Sequence, residues 1–177
     1  MIHHLLNHLC SYLEDNIEDC SFYVGYLPGR DAAAQNVDDG VYITLLAITE
    51  DVAAKIPFVY AQDQNRNISK QDPPIILELS VMVSAYFKTY TESLKAISKV
   101  IQKLADKKKF ITDDFSYSLA MYNMTMDQSN NLWQALSTNV LPNAIYKIRH
   151  VNVLPDYDED AEITTEVVEL TVNTQRK

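Results

Sequence analysis

Apolar residues recur along this chain at two distinct periods. Ile2, Leu5, Leu6, Leu9, Leu13 and Ile17 follow helical spacing, so residues 2–17 are expected to form an amphipathic helix. A short strand, "SFYVGYL", follows, and then a polar connection over 28–40 with glycines near both ends. "VYITLLAIT" (41–49) is apolar on both alternating sets, the pattern of a strand covered on two faces. The stretch from Pro57 to Pro74 has no clean period and is expected to be a long loop.

The clearest strand is "IILELSVMVSAYF" (75–87), with Ile75, Leu77, Leu79, Val81, Val83, Ala85 and Phe87 on one face and Glu78, Ser80 and Ser84 on the other. Its length suits a sheet that runs beyond a single small core. Thr89 and Glu92 have capping-box spacing ahead of a helix whose apolar stripe is Leu94, Ile97, Ile101 and Leu104. "FSYSLAMYN" (115–123) alternates again, with Phe115, Tyr117, Leu119 and Met121 on one side. A short helix around 128–137 leads through Pro142 to the strand-like "AIYKIRHVNVL" (144–154). The acidic "PDYDEDAE" separates this from a last alternating run, "ITTEVVELTVN" (163–173). These elements predict an α+β fold: one domain over 1–177, a mixed or mainly antiparallel sheet with helices packed on it, and a carboxy-terminal strand and tail over 163–177.

Composition narrows the function. The 177 residues suffice for a sizeable core, and 47% are hydrophobic. Only three are glycine, at Gly25, Gly29 and Gly40, so no glycine-built phosphate cradle can be written. The formal charge of −9 disfavours nucleic acid as a partner. The one basic cluster, Lys103 with Lys107 to Lys109, is expected at a helix end, where cations suit the macrodipole. The two cysteines, Cys10 and Cys20, are spaced for neither a redox pair nor a zinc site, and suggest a reducing compartment. No signal-peptide pattern or bilayer-length apolar run appears, so the expectation is a cytoplasmic protein without a membrane partner.

Candidate chemistry is thin. His4 and His8 lie one helical turn apart, but no HExxH accompanies them, and a solvated helix face is expected for His3, His4 and His8. Asp156, Asp158 and Asp160 have the spacing that opens a calcium loop, yet Ala161 and Val167 stand where glycine and a bidentate glutamate belong. An acidic turn is the better reading. Asp113 and Asp114 precede a strand and read as a turn, and no nucleophile elbow is present. No catalytic residue, metal ligand or cofactor is therefore assigned, and no small-molecule substrate is expected. Eleven tyrosines suit strands and interfaces alike.

One stretch is more specific. "LWQALSTNVLPNAIYKIRHV", after "MDQSNN" and the long strand and helix of 74–110, resembles the tail-cap or tail-terminator proteins of contractile injection systems of the Photorhabdus virulence cassette and antifeeding prophage class. The residues that carry the resemblance are Leu132, Trp133, Leu136, Pro142, Tyr146, Lys147 and Arg149, with the starting helix and the "VYITLLAITED" strand in the same order. Ser137 and Asn143 depart from it, standing where glycine and serine are common; both suit turns. The resemblance implies a terminator-like fold and a non-enzymatic structural protein. It further implies a homo-oligomeric ring, a hexamer, closing the end of an inner tube and sheath in a particle assembled in the cytoplasm. On that reading Trp133 is a packing anchor under the sheet with Leu132 and Leu136. Ile163, Val167, Glu169, Leu170, Thr171 and Val172 are the candidate interface. A stand-alone binding module, using loops 28–40 and 57–74, is the alternative from another class.

Overall fold

The alternating run at 75–87 becomes the centre of the molecule. The computed structural model describes residues 1–29, 37–51, 59–62, 68–71, 75–112 and 115–153. Its elements are α1 (Ile2–Asn16), β1 (Phe22–Val24), β2 (Gly40–Glu50), β3 (Val59–Gln62), β4 (Ile68–Gln71), β5 (Ile75–Tyr86), α2 (Tyr90–Asp106), β6 (Lys109–Ile111), β7 (Ser116–Met121), α3 (Met126–Leu136) and β8 (Asn143–Val153). Six strands form one mixed sheet in the order β1-β2-β5-β8-β7-β6, giving an α+β fold of one domain. The β1–β2 pair is parallel and the other pairs are antiparallel.

Period-2 alternation divides the side chains of β5 between two layers. Leu79, Val81, Val83 and Ala85 join Leu5, Leu9 and Leu13 of α1 and Ile97, Val100 and Leu104 of α2 in the main core. Met82 points the other way, into a smaller cluster with Trp133 of α3 and Ile145 of β8. Two helices thus cover one face of the sheet, and α3 covers part of the opposite face. Gly40 is required where β1 meets β2. A Cβ there would lie 2.7 Å from both the Ser21 carbonyl oxygen and the Tyr23 ring. The adjacent Val41 amide donates to that same carbonyl at 2.8 Å.

Several expectations need correction. The segment from Pro57 to Pro74 is not all loop, because Val59–Gln62 and Ile68–Gln71 pair as a two-stranded antiparallel ribbon. Strand β2 is covered on both faces only at its start: Val41 to Thr44 are buried, whereas Ala47 to Glu50 are exposed. Alternation sends Leu45 to the main core and Leu46 to the smaller cluster, and a bulge at Leu46 then keeps Ala47, opposite Ser80, off the core face. Helix α2 starts at the Thr89 cap as expected, but its buried face is Ser93, Ala96, Ile97, Val100 and Leu104; Leu94 is 42% exposed. The helix ends at Asp106, so only Lys103 lies in its last turn, and Lys109 opens the unanticipated strand β6. Helix α3 starts two residues early, at Met126, because Thr125 and Gln128 form a reciprocal capping box. Met121 shares the register of Leu119 but is 54% exposed. Asp113, Asp114 and residues 154–177, which hold the acidic run and the last alternating run, lie outside the described residues.

Candidate assembly surface

The motif around the single tryptophan begins with a well-terminated helix. Thr125 accepts from the Gln128 amide at one end, and Ser137 closes the other in the left-handed region at φ 52°. That conformation is the one for which glycine is the usual residue, so the serine carries a local backbone cost. Trp133 is buried beneath α3 against Met82 and Ile145, with Leu132 and Leu136 half-buried beside it. Pro142 is half-buried, and its carbonyl accepts the Ala85 amide at 2.9 Å, tying the start of β8 to the end of β5.

Along β8 the remaining motif residues separate. Tyr146 points into the main core, where burial raises its phenol pKa above the ordinary value. Lys147 and Arg149 face the α3 side, beyond the helix. There they converge on Glu78 of β5: Lys147 Nζ donates to Oε1, and Arg149 Nε donates to Oε2 at 2.7 Å. The hydrogen bond from Lys147 is the largest influence on the Glu78 carboxyl; burial opposes it, and the hydrogen bond from Arg149 with the charges of both cations keeps the group below its usual range. Lys147 also lies over the Tyr122 ring, 4.9 Å from its centroid. The fold therefore does not gather the seven motif residues at one point. Four of them (Leu132, Trp133, Leu136 and Pro142) position the start of β8, one enters the core, and two build an ion network on the open face.

The register describes the rest of that face. Ala47, Ser80, Lys147 and Ala120 lie abreast across four strands. Beside them, Thr49 pairs with Glu78 and Arg149 with Ser118. Apart from the three charged residues, these positions carry only small side chains. Sequence reasoning placed Glu78 on the polar face but missed its role, because its partners lie 69 and 71 residues away.

Elsewhere the described residues offer little chemistry. No group of three metal-capable side chains is found among them. His8 does not lie on a solvated face as expected: its Nδ1 is 2.9 Å from the Tyr117 hydroxyl, and its ring meets Phe110, Phe115 and Tyr117 edge-on. Burial, and secondarily Lys107, lower its pKa. Burial, with Glu14, pushes the Cys10 thiol up to about 11, and burial also raises that of Cys20, against an opposing effect of Lys99; both environments disfavour the thiolate. An open groove of about 740 Å³ beside α2 is lined by Cys20, Phe87, Leu94, Lys95 and Lys99 among others. Among the described residues, no helix is long and apolar enough to cross a membrane.

The family model for the Pvc16 N-terminal domain matches residues 2–166. The chain belongs to that family. Its fold is also that of solved caps. The PVC sheath/tube terminator of an extracellular contractile injection system, in the extended state, superposes with a TM-score of 0.72 at 15% identity, covering 100% of this chain and 64% of that one. The anti-feeding prophage cap, a tube-terminating cap, gives 0.65 at 14% identity, covering 96% of this chain and 60% of that one. This Pvc16 N-terminal domain chain thus spans less than two thirds of the structures it matches. No curated protein matches it by sequence.

Proposed function

We propose that this protein is a cap subunit of a contractile injection system. It forms a ring, a hexamer, at the end of the inner tube and sheath, covers the association surfaces of the last tube and sheath subunits, and so stops further polymerisation. Assembly takes place in the cytoplasm, as part of a phage-tail-like particle. The observation that carries this reading is the agreement of fold, over the whole chain, with the sheath/tube terminator.

The surfaces described above suit such a role. A closed ring uses heterologous contacts, so each subunit needs two different complementary patches. The outermost strands of the sheet, β1 and β6, are three residues each, and β6 begins with Lys109. Edges this short, one of them opened by a lysine, resist edge-to-edge pairing, which favours contacts through faces and added segments. The run 163–173, with Ile163, Val167, Glu169, Leu170, Thr171 and Val172, supplies a strand to a neighbouring cap or sheath subunit by β-addition. Deleting residues 163–177 then abolishes attachment to sheath while the domain stays folded. Loss of the fold would instead place that strand in the domain's own sheet.

Native mass spectrometry with and without tube and sheath tests the ring. A hexamer, alone or on a finished tube, supports it. A monomer that ignores both polymers and melts higher with a small ligand would instead favour a stand-alone binding module.

A further inference from the structure

The acidic run 156–162 has no role in the function proposed above, and the open sheet face carries a match for it. Lys147 and Arg149 are two residues apart on one face of β8, so their attachment points are separated by roughly 6.6 Å. Glu78, 15% exposed, holds both cations in place, while Arg149 remains 47% exposed. Arg149 uses Nε for Glu78, which leaves the outer edge of its guanidinium for a second carboxylate. Lys147, Arg149 and Glu78 together carry a charge of +1 in a chain whose formal charge is −9. Ala47, Ser80, Ala120, Thr49 and Ser118 around them are small enough for a backbone to lie close.

The chain itself provides an acidic segment that can meet both cations. Asp156, Asp158, Asp160 and Glu162 stand at every second residue, the spacing of Lys147 and Arg149, and Glu159 adds a further carboxylate between two of them. The segment starts just past β8, which ends at Val153, roughly 13 Å from Arg149 at ~3.3 Å per residue. Pro155 and Asp156, between the strand and the acidic run, are turn-forming residues that suit a reversal there. We infer that the Lys147–Arg149 platform is a docking site for the acidic run 156–162 of the same chain, returning over the outer face of the sheet. The short connection gives this segment a high effective concentration over any acidic partner in solution. Docking fixes where the run 163–173 leaves the body, and it holds whether or not the protein is a cap.

Trp133, the only tryptophan, lies on the same face and serves as a fluorescence donor. The full chain carries Cys20→Ser and Ala161→Cys, the latter labelled with a dansyl acceptor; Cys10 is buried and stays unlabelled. Energy transfer is expected to be high and unchanged on dilution. Most of it is lost with Arg149→Glu plus Lys147→Glu, and also in 1 M salt, where the Debye length is about 3 Å. Adding Asp158→Lys and Asp160→Lys to the platform variant restores the transfer. Should the platform variant fail to fold, Asp158→Asn with Asp160→Asn and Glu162→Gln probes the same contact from outside the folded body and should show the same loss. Transfer that rises with protein concentration would assign the platform to a second copy, and transfer indifferent to every substitution would leave no docking at all. Either result overturns the inference.

Discussion

The two faces of the sheet are built differently. On one, α1 and α2 bury a continuous core from Phe22 through Val81 and Tyr146 to Phe110, with His8 at its margin beside the Tyr117 hydroxyl. On the other, α3 buries Trp133, Met82 and Ile145, and the surface beyond it is small and charged. The first face stores the stability of the domain. The second buries a smaller cluster and leaves a network of Glu78, Lys147 and Arg149 at its surface. The residues singled out around the tryptophan divide in the same way: Trp133 and Pro142 belong to the support of the second face, Lys147 and Arg149 to its surface, and Tyr146 to the first face.

Truncation should separate the two faces most sharply. Ile148→Ala, at a fully buried position of the main core, is expected to cost about 2–5 kcal/mol in denaturant unfolding. It should raise hydrogen exchange throughout the sheet. Trp133→Ala removes about as much, ~3–5 kcal/mol, but its exchange should rise mainly in α3 while α1 and α2 stay protected. Equal, global loosening in both variants would mean that the two layers form one cooperative core.

The ion network comes next. Glu78→Gln leaves Lys147 and Arg149 adjacent without their carboxylate, at a cost of about 1 kcal/mol after allowance for exposure. The same residue sets an acid limb. Its folded pKa lies below the ordinary 4.5, so its contribution is present above that value and is lost as pH falls through the lower folded one. Glu78→Gln should flatten that limb in a stability-versus-pH series.

A smaller gain is expected at the end of α3. Ser137→Gly relieves the left-handed conformation and should stabilise by about 0.5–1 kcal/mol, less than the full steric term because glycine also loses more chain entropy. His8 has the smallest effect and the opposite face to report on. Its folded pKa lies below 6.5, so its neutral form supports folding above that value and support is lost as pH falls below it. His8→Leu should remove this slope without touching the Glu78 limb.

The first face was largely legible in the sequence. The helical spacing of Leu5, Leu9 and Leu13 and the alternation of Leu79, Val81 and Val83 each identify an element and its buried side without outside help. Strand β6 was not, because three residues are too few to display a period and its Phe110 followed a lysine run. Bulges blurred β2 and β8. An extra residue at Leu46, and another at Arg149–His150, shift the register where pattern reading assumes strict alternation. The second face depends on pairings distant in sequence. Lys147 and Arg149 stood out as part of a motif, yet only the β5–β8 register reveals Glu78 between them.

The central claim is that this protein works by shape at the end of a polymer. Its direct test is the length distribution of tubes and sheaths in particles assembled with and without it, imaged by electron microscopy. Particles lacking it are expected to show open ends and uncontrolled lengths, reversed when the protein is supplied. Normal length and closed ends in its absence would contradict the claim.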